Sequence, residues 1–437
     1  MEPSRLIEAL SHWNPWGREP FRAGIPRDAR AACLPWLERS EVVAVCGMRR
    51  SGKSTLLRQL AAARMEAGVP ARDILFVNFE DPVFLESPLD VRAMDRVFDA
   101  WFEQIGPQGM PCLFLDEVQN VEGWARWVRA RVETGRARVA VSGSSSRLLE
   151  PEIGSVLTGR HWTCDLWPLS FREYLRFRGI EVADRAALLT AGPEVRQALA
   201  RYLRLGGLPE PALTDDEHLA AALLRQYFRD LIYRDVVSRH EVRDVRALER
   251  VAHWYLVNTA NLATYNRVKD VHALAMDQVR SYTAHLEEAW LIRQVPRFSW
   301  KVGEQGRAPR KVYAVDHGLR NAVAFHFSGD AGRVAETVVH TTLARSPDVS
   351  VFYFQGKQGC DFLTWRGAAP AAAVQVCYEH DGPLPEREVE GLVEAMEAAG
   401  LQEGTVVTRA LAEEREVGGR RVRLVPLWRW LWEVEGG

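Results

Sequence analysis

The sequence contains little lysine, little net charge and no long apolar run. Arginine supplies nearly all of the 56 cationic side chains, and 58 acidic side chains leave a net charge of −2. A chain so close to neutrality has no general basic field to attract nucleic acid, although a local basic face would not show in this total. Lysine occurs only at positions 53, 269, 301, 311 and 357.

The six cysteines form no C-x-x-C pair, which argues against a zinc ribbon or a thioredoxin-like redox motif. The chain has no run of about 18 apolar residues, the length that a membrane-spanning helix needs. The N-terminal stretch "MEPSRLIEAL" lacks the cationic start and apolar centre of a signal peptide. We therefore expect a soluble, cytoplasmic protein without a membrane partner.

The pattern of apolar residues indicates an α/β protein. The chain has 437 residues, of which 47% are hydrophobic, and this length suggests two to four domains. Between about residues 41 and 145, short apolar runs alternate with amphipathic segments of helical length, which favours βαβ units and a parallel sheet. The predicted strands lie in "EVVAVCG", "DILFVNF", "CLFLDEV" and "RVAVSG".

The stretch "GMRRSGKS" fits the phosphate-loop pattern G-x-x-x-x-G-K-[ST] in full. The strand before it and the helix after it argue against a chance glycine-rich turn. Backbone N–H groups of such a loop donate to phosphate oxygens at a helix N-terminus. We expect Lys53 to bridge the β- and γ-phosphates of ATP and the Ser54 hydroxyl to ligate Mg²⁺. The predicted nucleotide contacts are Gly47, Met48, Arg49, Arg50, Ser51, Gly52, Lys53, Ser54 and Thr55.

Two acids end the apolar run "CLFLDEV". The carboxyl end of a central parallel strand lies beside the phosphate loop in such sheets. Asp116 would hold Mg²⁺ directly or through water, and Glu117 would act as the general base on the attacking water. The alternative is that both acids simply end a strand in a solvated loop.

Two further candidates follow the core strands. The hydroxyl of Ser144 could sense the γ-phosphate or fix the attacking water, or it could cap a helix at "RLL". Arg160 in "TGRHW" is a candidate arginine finger, acting in cis or on a neighbouring subunit of a homo-oligomer, and the alternative is a surface arginine. The predicted catalytic residues are thus Lys53, Glu117 and Arg160.

With these motifs in order, the chain resembles a prokaryotic family of AAA+-type P-loop ATPases, also called archaeal-type ATPases. The resemblance rests on "GMRRSGKSTLL", "LFLDEVQNVEGW", "VSGSSSRLL", "LGGLPEP", "KVYAVDHGLRNA" and "FYFQGKQGCDFLTW". It implies an AAA+-type core at 1–190, a helical lid with a winged helix-turn-helix at 191–295, and a restriction-endonuclease-like α/β domain of unknown function at 296–437. A basic pair such as Arg49 and Arg50 also looks like a family feature, with side chains directed toward the lid or a neighbour.

Three helical patterns between residues 245 and 291 have the spacing of a winged helix-turn-helix. The last one, "AMDQVRSYTAHLEEAWLI", would place Val279, Leu286 and Leu291 on its buried face. Its outward face could meet the major groove of double-stranded DNA, although such helices can also serve only as packing elements. The residues predicted to face outward are Asp277, Gln278, Arg280, Ser281 and Tyr282.

The tail resembles a restriction-type nuclease that has lost part of its site. Glu336 and Asp361 fall at two acidic positions of the nuclease pattern. Gln375 takes the third acidic position, where a neutral amide is a weak ligand for a hard cation. Cys377 stands where a lysine is expected, and Lys357 on the preceding loop is a possible substitute. We therefore predict a degenerate site in which Glu336 and Asp361 persist as a hydrogen-bonded pair.

These patterns favour an enzyme that hydrolyses ATP to ADP and phosphate and acts as a switch or motor on nucleic acid. A nucleotide-regulated signalling or binding module with little turnover is the alternative. A third hypothesis, an ATP-gated metal-dependent DNA nuclease, requires an active tail.

Overall fold

The computed structural model describes residues 2–17, 21, 23–84, 89–144, 157, 159–324, 330–379 and 384–436. The chain forms two compact units, Met1–Leu166 and Trp167–Gly437. Within the described residues, no helix combines the length and the apolar character required to cross a membrane.

The first unit is built on a parallel sheet in the order β2-β3-β4-β1-β5. All residues of β1 and β3 are buried, because apolar strands at the centre of a parallel sheet are covered on both faces. The predicted α/β class with a parallel sheet is confirmed. The strands are β1 (Val42–Cys46), β2 (Ile74–Asn78), β3 (Cys112–Asp116), β4 (Arg138–Gly143) and β5 (His161–Asp165).

Helices of the first unit alternate with these strands. The α3 helix begins at Lys53 directly after Gly52 and buries Leu56, Leu57 and Leu60 in a cluster with Val43 and other sheet residues. Short 3₁₀ turns lie at Ala71–Asp73, Pro82–Phe84 and Val118–Asn120. The helices are α1 (Pro3–Leu10), α2 (Ala29–Leu37), α3 (Lys53–Glu66), α4 (Val91–Gln104) and α5 (Trp124–Glu133).

The β5 strand begins directly after Arg160, within the stretch "TGRHW", and no sequence pattern predicted it. Its residues pair in parallel with β1, from Val42 with His161 to Cys46 with Asp165. Only Cys164 of the strand is fully buried, since β5 lies at the edge of the sheet. An edge strand with polar residues lacks the continuous apolar run by which the central strands are recognised.

The second unit begins with helices. The α6 helix starts in a capping box, in which Ser170 accepts a hydrogen bond from the Glu173 N–H and the Glu173 carboxylate accepts one from the Ser170 N–H. The α10 helix continues through a π-helical segment, Leu231–Val237, into a last turn at Ser238–His240. These helices are α6 (Phe171–Phe177), α7 (Arg185–Thr190), α8 (Gly192–Leu205), α9 (Pro209–Leu213) and α10 (Glu217–Asp230).

Three helices and a small antiparallel sheet follow. The sheet has the order β6-β8-β7, and β6 lies in the chain between the first and second of these helices. The segment "KVYAVD", which falls in the domain expected at 296–437, forms β8 and pairs with both β6 and β7. The elements are α11 (Val245–Val257), β6 (Asn261–Ala263), α12 (Tyr265–His272), α13 (Met276–Glu288), β7 (Ile292–Val295) and β8 (Arg310–Ala314).

A six-stranded mixed sheet in the order β13-β14-β12-β11-β10-β9 completes the second unit. The strands β11, β12 and β14 are parallel, whereas the other pairings are antiparallel. Its strands are β9 (Val349–Gln355), β10 (Gly359–Arg366), β11 (Ala369–Cys377), β12 (Glu403–Thr408), β13 (Glu413–Val417) and β14 (Arg420–Pro426). The remaining helices are α14 (Val302–Arg307), α15 (His317–Val323), α16 (Asp330–Ala344), α17 (Glu386–Ala399) and α18 (Leu427–Val434).

Candidate nucleotide site

The predicted phosphate loop joins the carboxyl end of β1 to the first turn of α3. Cys46 is in register with Gly143, and Asn78 with Asp116. The carboxyl ends of these parallel strands therefore share one edge of the sheet, which is where ligands of open α/β sheets bind. The fold thus brings the loop, the acids after β3 and the serines of β4 to the same edge.

Three residues of the loop have backbone requirements that follow from its tight turn. A Cβ at Gly47 would overlap the carbonyl oxygen of Leu166, so a larger residue is excluded there. Gly52 has a φ of 97° and ends the loop at the helix. Arg50 also lies in the left-handed region, with a φ of 69°, which a residue with a Cβ adopts at some cost in free energy.

Lys53 is buried at the base of the loop, with 3% of its side chain exposed. Its Nζ donates to the carbonyl oxygens of Gly47 and Met48, each at 3.1 Å. The same Nζ lies 4.0 Å from Oε1 of Glu117. The ammonium is therefore held between the phosphate loop and the predicted general base.

Asp116 is fully buried at the end of β3. The Ser142 hydroxyl donates to its Oδ1, while its Oδ2 is buried without a hydrogen-bond partner among the described residues. Burial and the neighbouring Glu117 raise the pKa of Asp116 to about 6, against the opposing effects of Ser142, Ser54 and Lys53.

Oδ2 of Asp116 has no hydrogen-bond donor among the described residues and lies on a carboxylate that neighbours Ser54. Hard divalent cations prefer such oxygen ligands. Asp116 and Ser54 are thus suited to hold Mg²⁺.

Glu117 has a φ of 55° and is almost fully buried. Its N–H donates to Oγ of Ser142 at 3.1 Å, and the Gln119 amide donates to its Oε2. Ser142 belongs to the serine-rich end of the predicted strand "RVAVSG", whereas no role was predicted for Gln119. Ser142 had a detectable signal, because it is the hydroxyl residue at the end of the strand that neighbours the acids.

The two arginines of the loop differ in their surroundings. Arg49 makes an ion pair with Glu80, at 3.0 Å between Nη2 and Oε1, whereas Arg50 is exposed. A third arginine was missed: Arg27 is buried and its Nη1 donates to the carbonyl oxygen of Ser51 at 2.6 Å. Because Arg27 is far from the loop in sequence, no local pattern marks this contact.

Among the other predicted loop contacts, Met48 and Ser51 are buried and Thr55 is half-buried on the first turn of α3. Ser144 is buried directly after β4, at the same edge as the loop. The segment "RLL" that it was predicted to cap lies outside the described residues. Both roles considered for Ser144, contact with nucleotide and helix capping, stay predictions.

Arg160 lies at the opposite end of the sheet. Its carbonyl oxygen accepts a hydrogen bond from the N–H of Val42, the first residue of β1. The length of β1 separates it from the phosphate loop by about 13 Å, given a rise of about 3.3 Å per residue. Its guanidinium makes an ion pair with Glu133 at the end of α5. The structure therefore does not bring Arg160 to the phosphate loop of its own chain.

The second unit brings together the three predicted nuclease-like residues. Glu336 of α16 and Asp361 of β10 both bind Lys311 of β8, which was not predicted to take part. Gln375 of β11 accepts a hydrogen bond from the Asp361 N–H at 2.9 Å. Lys357, considered as a substitute lysine, is instead exposed in the turn between β9 and β10.

Comparison with protein families supports the nucleotide site. Residues 39–175 match the family model of an AAA domain, and residues 196–329 match that of a domain of unknown function. The first match contains the phosphate loop and both acids after β3. The predicted likeness to AAA-type P-loop ATPases is therefore confirmed for this part of the chain.

Two uncharacterised proteins resemble the chain over most of its length. One from Methanocaldococcus jannaschii is 27% identical over 424 residues, which cover 93% of this chain and 90% of the relative. One from Haemophilus influenzae is 26% identical over 398 residues, which cover 88% of this chain and 93% of the relative.

Solved structures with detectable similarity include a Walker-type ATPase and an AMPPCP-bound protein. The Walker-type ATPase of Pyrococcus abyssi is 15% identical with a TM-score of 0.44, over 70% of this chain and 97% of that protein. The AMPPCP-bound DnaA from Aquifex aeolicus is 11% identical with a TM-score of 0.27, over 60% of this chain and 86% of that protein.

Proposed function

We propose that this protein hydrolyses ATP to ADP and phosphate and uses the cycle as a nucleic-acid-associated switch or motor. The observation that carries the proposal is the convergence of Lys53, Asp116 and Glu117 at the carboxyl edge of a parallel sheet. The Lys53 Nζ lies 4.0 Å from Glu117, and both acids share the Ser142 hydroxyl.

Each of these side chains has a role that its environment supports. Lys53, buried under the loop, is placed to neutralise phosphate oxygens as charge develops on the leaving group. Glu117 is held by Gln119 and by its own N–H, so its carboxylate has a defined direction in which to accept a proton from water. Asp116 and Ser54 would hold Mg²⁺, which neutralises charge on the β- and γ-phosphates when it is bound with ATP.

The assignment is tested by measuring ATP binding and phosphate release in Lys53→Ala and Glu117→Gln. We expect Lys53→Ala to abolish binding, and Glu117→Gln to keep binding but lose turnover by at least about 100-fold, as for loss of a catalytic proton acceptor. Matched controls are Lys269→Ala and Glu122→Gln, since Lys269 is partly exposed and Glu122 exposed. Turnover that survives both active-site changes would overturn the assignment.

The nucleic-acid part of the proposal rests on the second unit. The elements α11, α12 and α13, together with the sheet β6-β8-β7, follow the order of a winged helix-turn-helix. The α13 helix exposes Asp277, Gln278, Arg280 and Ser281. Tyr282, which we expected to face outward, is buried and its hydroxyl donates to the Asp244 carbonyl oxygen at 3.4 Å. The outward face is therefore narrower than predicted and still polar.

The connection between β7 and β8 adds a second feature of a nucleic-acid surface. Trp300 on this connection is 73% exposed, and Arg297, Lys301 and Arg307 lie on the same segment. An exposed aromatic ring among cations suits stacking on a base beside a phosphate backbone. The connection that carries these residues follows α13 and β7 in the chain.

The binding test is fluorescence anisotropy of a labelled DNA duplex across a salt series. We expect Arg280→Ala and Trp300→Ala to weaken binding, and Arg280→Ala to lower the salt dependence by about one phosphate contact. Arg225→Ala is the control, because Arg225 is exposed on α10. ATP turnover that DNA neither stimulates nor inhibits, together with no binding at low salt, would favour the signalling module instead.

A further inference from the structure

Lys311 occupies the centre of the nuclease-like cluster. Its Nζ donates to Oε1 of Glu336 at 2.9 Å and to Oδ1 of Asp361 at 2.8 Å. The side chains of all three residues are at most 15% exposed. One ammonium therefore lies between two carboxylates that come from a helix, α16, and from a neighbouring strand, β10.

Two further protein donors reach the carboxylates of the cluster. The Tyr313 hydroxyl donates to the same Glu336 oxygen at 2.6 Å. The N–H of Val376 donates to Oδ2 of Asp361 at 3.0 Å. Oε1 of Glu336 and both carboxylate oxygens of Asp361 thus have hydrogen-bond donors without any metal ion.

Gln375, the third position of the pattern, is also committed to protein contacts. Its Oε1 accepts from the Asp361 N–H at 2.9 Å, and its Nε2 donates to Oε2 of Glu388 at 2.6 Å. The amide oxygen, which is the atom that could ligate a cation, is therefore already used. These residues do not fit the divalent cation that a restriction-type nuclease fold implies.

Electrostatics makes Lys311 a permanent member of the cluster. Burial disfavours its charged form, but Asp361 and Glu336 outweigh this effect and raise the pKa of Lys311 above its usual value. Burial and Asp361 raise the pKa of Glu336, which Lys311 and Tyr313 counteract. Two buried carboxylates without an interposed cation would repel each other.

We propose that Lys311 is a built-in cation which takes the place of a divalent metal between Glu336 and Asp361. The carboxylate pair then serves to fasten β8, a strand of the small sheet, to α16 and β10. The proposal is independent of the ATPase assignment, because it concerns the second unit alone. It disfavours the nuclease hypothesis, since the position of the metal is taken by the chain itself.

The first experiment measures Tb³⁺ luminescence in the nucleotide-free full-length protein, with Tyr313 beside Glu336 as a sensitiser. We expect Tb³⁺ not to bind at Asp361 in the wild-type protein. The Tb³⁺ luminescence titrations of the wild type and of Asp361→Asn should therefore be the same. Lys311→Met, which keeps the apolar stem and removes the charge, should bind Tb³⁺ at least about tenfold more tightly than the wild type, because two carboxylates are then freed. Mn²⁺ should compete for this site.

The matched control is Lys357→Met, because Lys357 is exposed in the turn between β9 and β10. It should behave like the wild type. Adding Asp361→Asn to Lys311→Met should remove the gained emission. A wild-type protein that loses Tb³⁺ emission on Asp361→Asn, or a folded Lys311→Met protein that gains none, would overturn the proposal.

A second measurement keeps the proposal testable if Lys311→Met folds poorly. Thermal unfolding is followed with and without Mn²⁺ in Lys311→Met and in the charge-neutral variant that also carries Glu336→Gln and Asp361→Asn. We expect Mn²⁺ to restore the melting temperature of the first and to leave that of the second unchanged. Equal responses of the two variants to Mn²⁺ would contradict a role for Lys311 in place of a metal.

Discussion

The hydroxyl of Ser142 donates to Oδ1 of Asp116, while Oγ of Ser142 accepts a hydrogen bond from the N–H of Glu117 at 3.1 Å. One side chain on β4 thereby fixes both acids at the end of β3. One hydroxyl thus contributes to the orientation of both the predicted metal ligand and the predicted base.

Replacement of Ser142 by alanine should lower ATP turnover more than ATP affinity. The change leaves the buried N–H of Glu117 without its acceptor, which should cost about 1–3 kcal/mol of stability and let both acids reorient. We expect kcat to fall by about 10- to 100-fold while the Kd for ATP changes by less than about threefold. Ser142→Thr is the control, because it retains the hydroxyl. A loss confined to Kd would contradict this role.

Replacement of Asp116 by asparagine should stabilise the nucleotide-free protein at neutral pH. The pKa of Asp116 is raised to about 6 from an ordinary value of 3.8, so the folded state binds its proton more tightly. Stability that is present below about pH 4 is then lost as pH rises to about 6.

Urea unfolding of Asp116→Asn and wild type at about pH 4 and pH 8 checks the sign of this effect. We expect the variant to be more stable by about 1–3 kcal/mol at the higher pH only, as the shift in pKa implies. The same variant should lose Mg²⁺-dependent turnover. A variant that is less stable than the wild type at the higher pH would contradict the prediction that the buried Asp116 carboxylate destabilises the nucleotide-free protein.

Two substitutions at Arg50 separate the effect of its backbone conformation from the effect of its side chain. Its φ of 69° favours glycine, so Arg50→Gly should stabilise the loop by about 0.5–1 kcal/mol, whereas Arg50→Ala should not. Since the Arg50 side chain is exposed, both variants should keep ATP affinity within about threefold of wild type. We expect Arg50→Ala to reduce stimulation by DNA or self-association instead. An affinity loss as large as that of Lys53→Ala would place Arg50 in the phosphate site.

Arg160 can act as a finger only on a second copy of the chain, given its position at the far end of its own sheet. If it does, the ATPase rate per molecule should rise with protein concentration, and Arg160→Ala should remove most of that rise. Arg136→Ala is the control, because Arg136 is exposed near the same end of the sheet. A rate that is independent of concentration, and equal in both variants, would show that Arg160 is a surface arginine paired with Glu133.

The apolar strands of the first unit could be predicted because buried strands consist almost entirely of apolar residues. The strands β1, β2, β3 and β4 each lie within an apolar stretch that was predicted to be a strand. Four strands escaped prediction, β5, β6, β7 and β13, and all of them lie at sheet edges. β13 reads "EEREV" and is mostly exposed, so its pairing with β14 leaves no hydrophobic signal in the sequence.

The site could be predicted only as far as its local motifs extend. The phosphate loop, Gly47–Ser54, is one continuous motif, and the acids Asp116 and Glu117 at the end of β3 are another. The fold brings the two motifs together as expected. Arg27 and Lys311 reach their partners across many residues of sequence, so tertiary structure alone reveals them. The proposed boundary at residue 295 stays a prediction, although β8 pairs with β7 across it.

The scarcity of lysine gives the nucleotide site a chemical reporter. Lys53 is the single lysine before residue 167, and its side chain is almost completely covered. An amine-reactive reagent therefore meets one ε-amine in the whole first unit, besides the chain's α-amino group. The rate at which that amine is acylated, read by peptide mass, would follow the opening and closing of the phosphate loop without any engineered label.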